Sequence, residues 1–173
     1  VGHSGSPAMY NYSFQKLGLD YVYLAFDIKE EDTSKSINAL RLLNVKGFNI
    51  TMPGKTAALS CCDELSKAAQ LIGAVNTVVN ENGKLIGHNT DGLGWVRNCR
   101  EHGFEIRGKK MTIAGSGGAA TAIEITSALE GMSEISIFAR KDTFFANAEA
   151  TVEKIRRHVS GCRVNLYDLE DRD

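Results

Sequence analysis

A chain of 173 residues with 43% hydrophobic content can bury the core of one domain or of two small ones. Its net charge of −1 gives no basis for nucleic acid or a membrane surface as a partner; no apolar run approaches the roughly 20 residues of a membrane helix. The four cysteines, Cys61, Cys62, Cys99 and Cys162, match neither zinc-ligand nor C-x-x-C spacing, so no metal is expected and the thiols are read as reduced, in a cytoplasmic protein.

In chain order, Ser4-Gly5-Ser6-Pro7 is a polar loop leading into a predicted helix over 7–17. Ser6 is its expected N-cap, Pro7 suits the first turn, and Gly18 ends it. Aromatic and β-favouring residues over 21–26 predict a strand. Ile37, Leu40 and Leu43 recur at helical spacing and predict an amphipathic helix over 30–43. A strand over 45–51 runs into Met52-Pro53-Gly54-Lys55, and two short helices over 56–62 and 63–71 follow, the second capped by Asp63. Strands over 74–80 and 84–88 are joined at Asn82-Gly83, a strong hairpin signal. Asn89-Thr90-Asp91-Gly92 then opens a helix that runs to about residue 102 and closes at Gly103.

The most informative stretch is Met111-Thr-Ile-Ala-Gly115-Ser116-Gly117-Gly118-Ala119, an apolar strand, a glycine turn and a helix over 119–129. In that order the glycines permit a tight turn and a close backbone approach, and the helix start offers unpaired N–H groups to a pyrophosphate. The pattern is shorter than G-x-G-x-x-G, and a βα turn that holds nothing is the alternative. A second strand over 135–139, the charged turn Arg140-Lys141-Asp142, a helix and a third strand over 163–167 complete a βαβαβ unit. The fold class is therefore α/β, with a first α/β domain over 1–102 and the first half of a Rossmann-like dinucleotide-binding domain over 103–173. The absence of an initial methionine and the half-built second sheet lead us to expect a longer natural chain, and a piece that is inactive or poorly folded by itself.

Polar residues gather at the predicted strand ends: Ser4 and Ser6, Thr51 and Lys55, Asn76 and Thr77, Asn89 and Asp91. Ligands of open α/β sheets sit at such ends. Hydroxyls and amides suit a small polyhydroxylated substrate, and a lysine with an aspartate suits proton transfer at an alcohol that becomes a ketone. Each has a plainer alternative: Ser6 and Asp91 as helix caps, Lys55 as a solvated charge.

Five ordered motifs resemble the signature of the shikimate dehydrogenase family: His3-Ser4-x-Ser6-Pro7, Asn49-Ile-Thr51-Met-Pro53-Gly-Lys55, Gly73-Ala-Val-Asn76-Thr77, Asn89-Thr90-Asp91-Gly92 and Gly115-Ser-Gly117-Gly118-Ala119. Arg140-Lys141-Asp142 followed by Phe144-Phe145 is most similar to the quinate/shikimate branch. Tyr10 stands where the family usually has histidine, and Ala139 where that branch has asparagine. The resemblance implies a substrate domain over 1–102 in which Ser4 and Ser6 bind the substrate carboxylate. Thr51, Asn76 and Asp91 would hold ring hydroxyls, and Lys55 with Asp91 would be catalytic. It implies cofactor contacts from Gly115, Ser116, Gly117, Gly118, Ala119, Arg140, Lys141, Asp142 and Phe144. The basic pair would favour the 2′-phosphate of NADP, and Asp142 the ribose of NAD.

The implied reaction is hydride transfer between NAD or NADP and the ring alcohol of shikimate or quinate, giving 3-dehydroshikimate or 3-dehydroquinate. It belongs to aromatic amino-acid biosynthesis or quinate metabolism. The partners expected are these small molecules, with a homodimer compatible. Two rivals remain at this point, a non-catalytic regulator that senses such acids and another dehydrogenase of the same plan, such as a folate-linked one.

Overall fold

The structure, a computed structural model, describes residues 4–142 and 145–170. Two sheets organise it. The first has strand order β1-β3-β4-β2 and the second β5-β6-β7.

Helix α1 (Ser6–Leu17) opens the described chain and ends at Gly18, whose φ of 66° is left-handed. Gly5, not Ser6, is its N-cap, so the expected side-chain cap is corrected; Ser6 and Pro7 both lie within the helix. The strand predicted over 21–26 does not form. Propensity there is strong, but both backbone groups of Tyr23 are taken by the Asn11 carboxamide, at 2.7 Å and 2.9 Å. A side chain thus occupies the bonds that a neighbouring strand would need.

A 3-10 turn (Glu30–Asp32) leads into α2 (Thr33–Leu42), and β1 (Gly47–Asn49) follows, shorter than predicted. The helix predicted over 63–71 is also corrected. Glu64–Leu65 forms β2, parallel to β4, and only Lys67–Ile72 is helical as α3. Its cap is Ser66, which accepts from the Ala69 N–H. Asp63 instead accepts from the Leu85 N–H at 2.7 Å, a bond that holds its carboxyl below the usual range, with Arg41 adding to the effect.

Strands β3 (Thr77–Glu81) and β4 (Lys84–His88) form the expected hairpin; Asn82 and Gly83 both have positive φ, as its tight primed turn requires. Helix α4 (Asp91–Glu101) leads to the second sheet, where β5 (Lys110–Ala114), α5 (Gly118–Leu129), β6 (Glu134–Ala139), α6 (Phe145–His158) and β7 (Arg163–Asp168) alternate with all strand pairs parallel.

Two hydrophobic cores result. The smaller joins Ile37, Ala58, Ala69, Val75, Val78 and Leu85 under the first sheet. The larger surrounds the second sheet, yet it also takes in Leu71 and Ile72 of α3 and Val96 of α4. The four cysteines are unpaired, and burial raises the thiols of Cys62 and Cys162. Among the described residues no helix is long and apolar enough to cross a membrane.

Candidate active site

Strand β3 runs antiparallel to β1 and β4, so its start lies at the same end of the sheet as their finishes. That geometry gathers three loops. The Ile50 N–H donates to the Asn76 carbonyl at 2.8 Å, the Asn76 N–H to His88 at 3.0 Å, and the Val75 N–H to the Lys55 carbonyl at 2.9 Å. The backbone therefore brings Lys55, Asn76 and Asp91 together before any side chain is considered.

At the centre the Lys55 ammonium donates to Asp91 Oδ2 at 2.7 Å. The Asn76 amide donates to Asp91 Oδ1, also at 2.7 Å. Asp91 lies in the first turn of α4, and Thr90 is the N-cap. The aspartate is thus not spent as a helix cap. The pair is only partly buried, with 22% of the Lys55 side chain and 38% of the Asp91 side chain exposed, so both can meet a ligand from solvent.

Asn76 is more constrained than its expected role suggested. It is buried, and its carbonyl oxygen accepts from the Thr90 N–H, the Thr90 hydroxyl and the Thr77 hydroxyl at 3.0, 3.2 and 3.0 Å. One amide hydrogen goes to Asp91, leaving the other for a ligand. Thr51 is exposed and follows Ile50, whose N–H bonds the Asn76 carbonyl. Ser4 is exposed, its hydroxyl accepting from the Ser6 N–H at 3.3 Å, and Ser6 is half-buried.

Sequence reasoning placed Asn89 in the cleft but gave it no role. It is buried, accepts from the Asp91 N–H at 3.1 Å and donates to the Ala74 carbonyl at 3.1 Å, so it fixes the start of α4 against the loop carrying Asn76. An asparagine two residues before a site aspartate is an Asx-turn signal that sequence alone offered.

The glycine turn is joined to this centre through α4 and α5. A Cβ on Gly92 would stand within 2.3 Å of the Ala122 carbonyl, so the first turn of α4 lies against α5 without a side chain between. Ala122 is four residues past Gly118, about 6 Å along the helix axis. Gly115 has a φ of 124°, and Cβ atoms built on Gly115, Gly117 and Gly118 meet nothing within 4 Å. Among the described residues no side chain caps α5. An open cradle with free first-turn N–H groups fits a pyrophosphate on chemical grounds. Ser116 and Ala119 flank it, Ser116 half-buried and Ala119 exposed.

At the end of β6, Arg140 is exposed and makes no side-chain bond among the described residues. Lys141 pairs with Asp168 at the end of β7 at 3.2 Å; a backbone hydrogen bond from Glu170 and the nearby lysine hold that carboxyl below its usual range. Asp142 follows, its N–H donating to the Arg140 carbonyl at 2.8 Å. Phe144 lies outside the described residues.

The class follows from how the sheets are joined. A lysine–aspartate pair at the end of the first sheet and an open glycine turn on a parallel βαβαβ sheet, linked by the α4–α5 contact, define a two-part α/β protein of the Rossmann-like kind. Residues 1–78 match the shikimate dehydrogenase substrate binding domain. The chain is 54% identical over 173 residues to the shikimate dehydrogenase (NADP(+)) of Listeria innocua, covering all of this chain and 59% of that protein. A crystal structure of shikimate 5-dehydrogenase from Listeria monocytogenes, in complex with shikimate and NAD, superposes with a TM-score of 0.96 at 54% identity, over 99% of this chain and 59% of that one. The ligand-free 5-ketofructose reductase of a Gluconobacter strain has a TM-score of 0.86 at 32% identity, over 96% of this chain and 59% of that one. Over its whole length the chain is similar to shikimate dehydrogenases. It spans 59% of the length of the curated relatives it matches.

Proposed function

We propose that the full-length protein is an NAD(P)-dependent dehydrogenase that interconverts shikimate and 3-dehydroshikimate, with quinate as a further substrate. Residues 1–102 form the substrate-side unit and 103–173 the start of the cofactor side. The observation that carries this reading is the 2.7 Å contact between Lys55 and Asp91, in a chain that also has an open glycine turn. The names of the relatives, which specify shikimate together with NADP or NAD, support the choice of substrate and cofactor.

The Gly115–Gly118 turn would hold the pyrophosphate of a nicotinamide dinucleotide, which would supply or accept the hydride. The remaining chemistry belongs to the chain. In the reducing direction the Lys55 ammonium donates its proton to the carbonyl oxygen as that carbon gains hydride; in the oxidising direction the neutral amine takes the proton from the alcohol. Asp91 holds the lysine nitrogen in place and, fixed by Asn76 and Asn89, cannot swing away from it. Ser4 and Ser6 bind the substrate carboxylate by hydroxyl donation. Thr51 binds a ring hydroxyl, and the second amide hydrogen of Asn76 donates to another.

The test is a matrix of steady-state rates for the full-length protein, with shikimate, quinate and a ketose each paired with NAD and NADP. Turnover of shikimate with at least one cofactor is expected. Ligand binding without any turnover would establish the regulator instead, and turnover of the ketose alone would establish a different dehydrogenase.

A further inference from the structure

We propose that Tyr23 is a positioning residue of the polyol cleft, its hydroxyl heading a one-way run of hydrogen bonds that ends on Asp91 and Lys55. The inference rests on the reading just given. Tyr23 Oη donates to Asn49 Oδ1 at 3.1 Å, and Asn49 Nδ2 donates to the Thr77 hydroxyl at 3.1 Å. The Thr77 hydroxyl donates to Asn76 Oδ1 at 3.0 Å, and Asn76 Nδ2 donates to Asp91 Oδ1 at 2.7 Å. Every donor points the same way, and the carboxylate that closes the run accepts Lys55 on its other oxygen.

Direction is what makes the head residue matter. An asparagine amide presents an acceptor on one side and a donor on the other, and a threonine hydroxyl has one hydrogen to give. With the phenol donating, Asn49 must turn its oxygen toward Tyr23 and its nitrogen toward Thr77. The Thr77 hydrogen is then free for Asn76. Without the phenol hydrogen, Asn49 is free to turn over and present its oxygen to Thr77, whose hydrogen would leave Asn76. A change about five side chains from the lysine would thereby reach the carboxylate that orients it, because bonds in such a run polarise one another.

Tyr23 itself is held on every side. Asn11 grips its backbone at both N–H and C=O. The Tyr10 ring stacks on it with centroids 4.6 Å apart and planes at 12°. Within 15–31 it is the single residue that is not exposed. Burial foremost, with Tyr10 adding, raises the phenol above its usual range, so it stays a donor near neutrality; an approach by the Ser6 side chain offsets part of that rise.

The test compares full-length parent, Tyr23→Phe, Thr77→Val and the double variant, by kcat and KM for shikimate, KM for the cofactor and the thermal midpoint. Tyr23→Phe keeps the ring stack and the backbone grip. It is expected to lower kcat/KM for shikimate about 5- to 10-fold, with cofactor KM and midpoint unchanged. Thr77→Val breaks the same run at its middle, so the double variant should be no worse than the poorer single one. Multiplying losses, or a Tyr23→Phe variant that matches the parent, overturn the proposal while leaving the dehydrogenase reading intact. Should Tyr23→Phe not fold, an unchanged kcat/KM in Thr77→Val overturns it equally. A parent without turnover overturns both.

Discussion

Lys55 is half-exposed, yet its nitrogen is held at 2.7 Å by a carboxylate whose other oxygen is already occupied. That arrangement restrains the amine more tightly than a surface ion pair would, while leaving it open to a ligand. Lys55→Ala in the full-length protein is therefore expected to reduce kcat by about 10²- to 10⁴-fold with KM for shikimate changed only a few-fold. Steady-state rates decide it, and a kcat within a few-fold of the parent would remove the lysine from the chemistry. At the end of β6 the charges divide. Lys141 is engaged by Asp168, whereas the Arg140 guanidinium has no side-chain bond among the described residues. The arginine is then the group available to a 2′-phosphate, through a charge-assisted bond of about 1.5–3 kcal/mol. Arg140→Ala should raise KM for NADP by about 10-fold or more and leave KM for NAD nearly unchanged. Equal losses would assign selectivity elsewhere.

Helices α4 and α5 link the Lys55–Asp91 pair to the glycine turn, and Gly92 is a point of close approach between them. A methyl group there would press on the Ala122 carbonyl at 2.3 Å and on Thr126 Oγ1 at 2.2 Å, one of them backbone that cannot rotate aside. Gly92→Ala should lower stability by about 1–3 kcal/mol and reduce turnover by displacing Asp91. Melting curves and rates on the same preparation check both; an unchanged midpoint would mean that the helices separate freely. The contact was invisible in the sequence, where Gly92 read only as part of a helix start. The hairpin at Asn82-Gly83 was legible because its backbone demand, positive φ at both residues, selects those residue types. The βαβαβ alternation was legible for a similar reason, since its strands are short apolar runs set off by glycine or charged turns. Residues 21–26 misled because propensity is local while pairing is not; the competing bond came from Asn11, a dozen residues away. The cap expected at Asp63 fell to Ser66 in the same manner, the distant Leu85 N–H claiming the Asp63 carboxylate. Lys55 and Asp91 were legible as a candidate pair, but the amides that orient them were not, because nothing in Asn49 or Asn89 reveals which way its oxygen faces.

The two parts of the chain pack together more than their order suggests: α3 and α4, both from the first part, bury Leu71, Ile72 and Val96 in the core around β5 to β7. Within the α5 face of that interior lies Glu124, fully buried, with neither carboxylate oxygen bonded among the described residues. The neighbouring Thr126 and Ser127 hydroxyls are likewise without partners there. Burial alone raises the Glu124 carboxyl from 4.5 to about 7, with no nearby charge contributing. The consequence for stability has a definite sign. Between pH 4.5 and about 7 the unfolded chain has released this proton while the folded chain retains it, so stability falls as pH rises through that window and levels off above it. The full loss is about 3 kcal/mol. Glu124→Gln keeps the shape and removes the ionisation. Its stability should approach the parent's near pH 4.5 and exceed it by up to that amount at about pH 8. Denaturant unfolding of the full-length parent and variant across this range measures the gap directly, and a gap that does not widen with pH would mean that the carboxylate finds a partner in the folded protein.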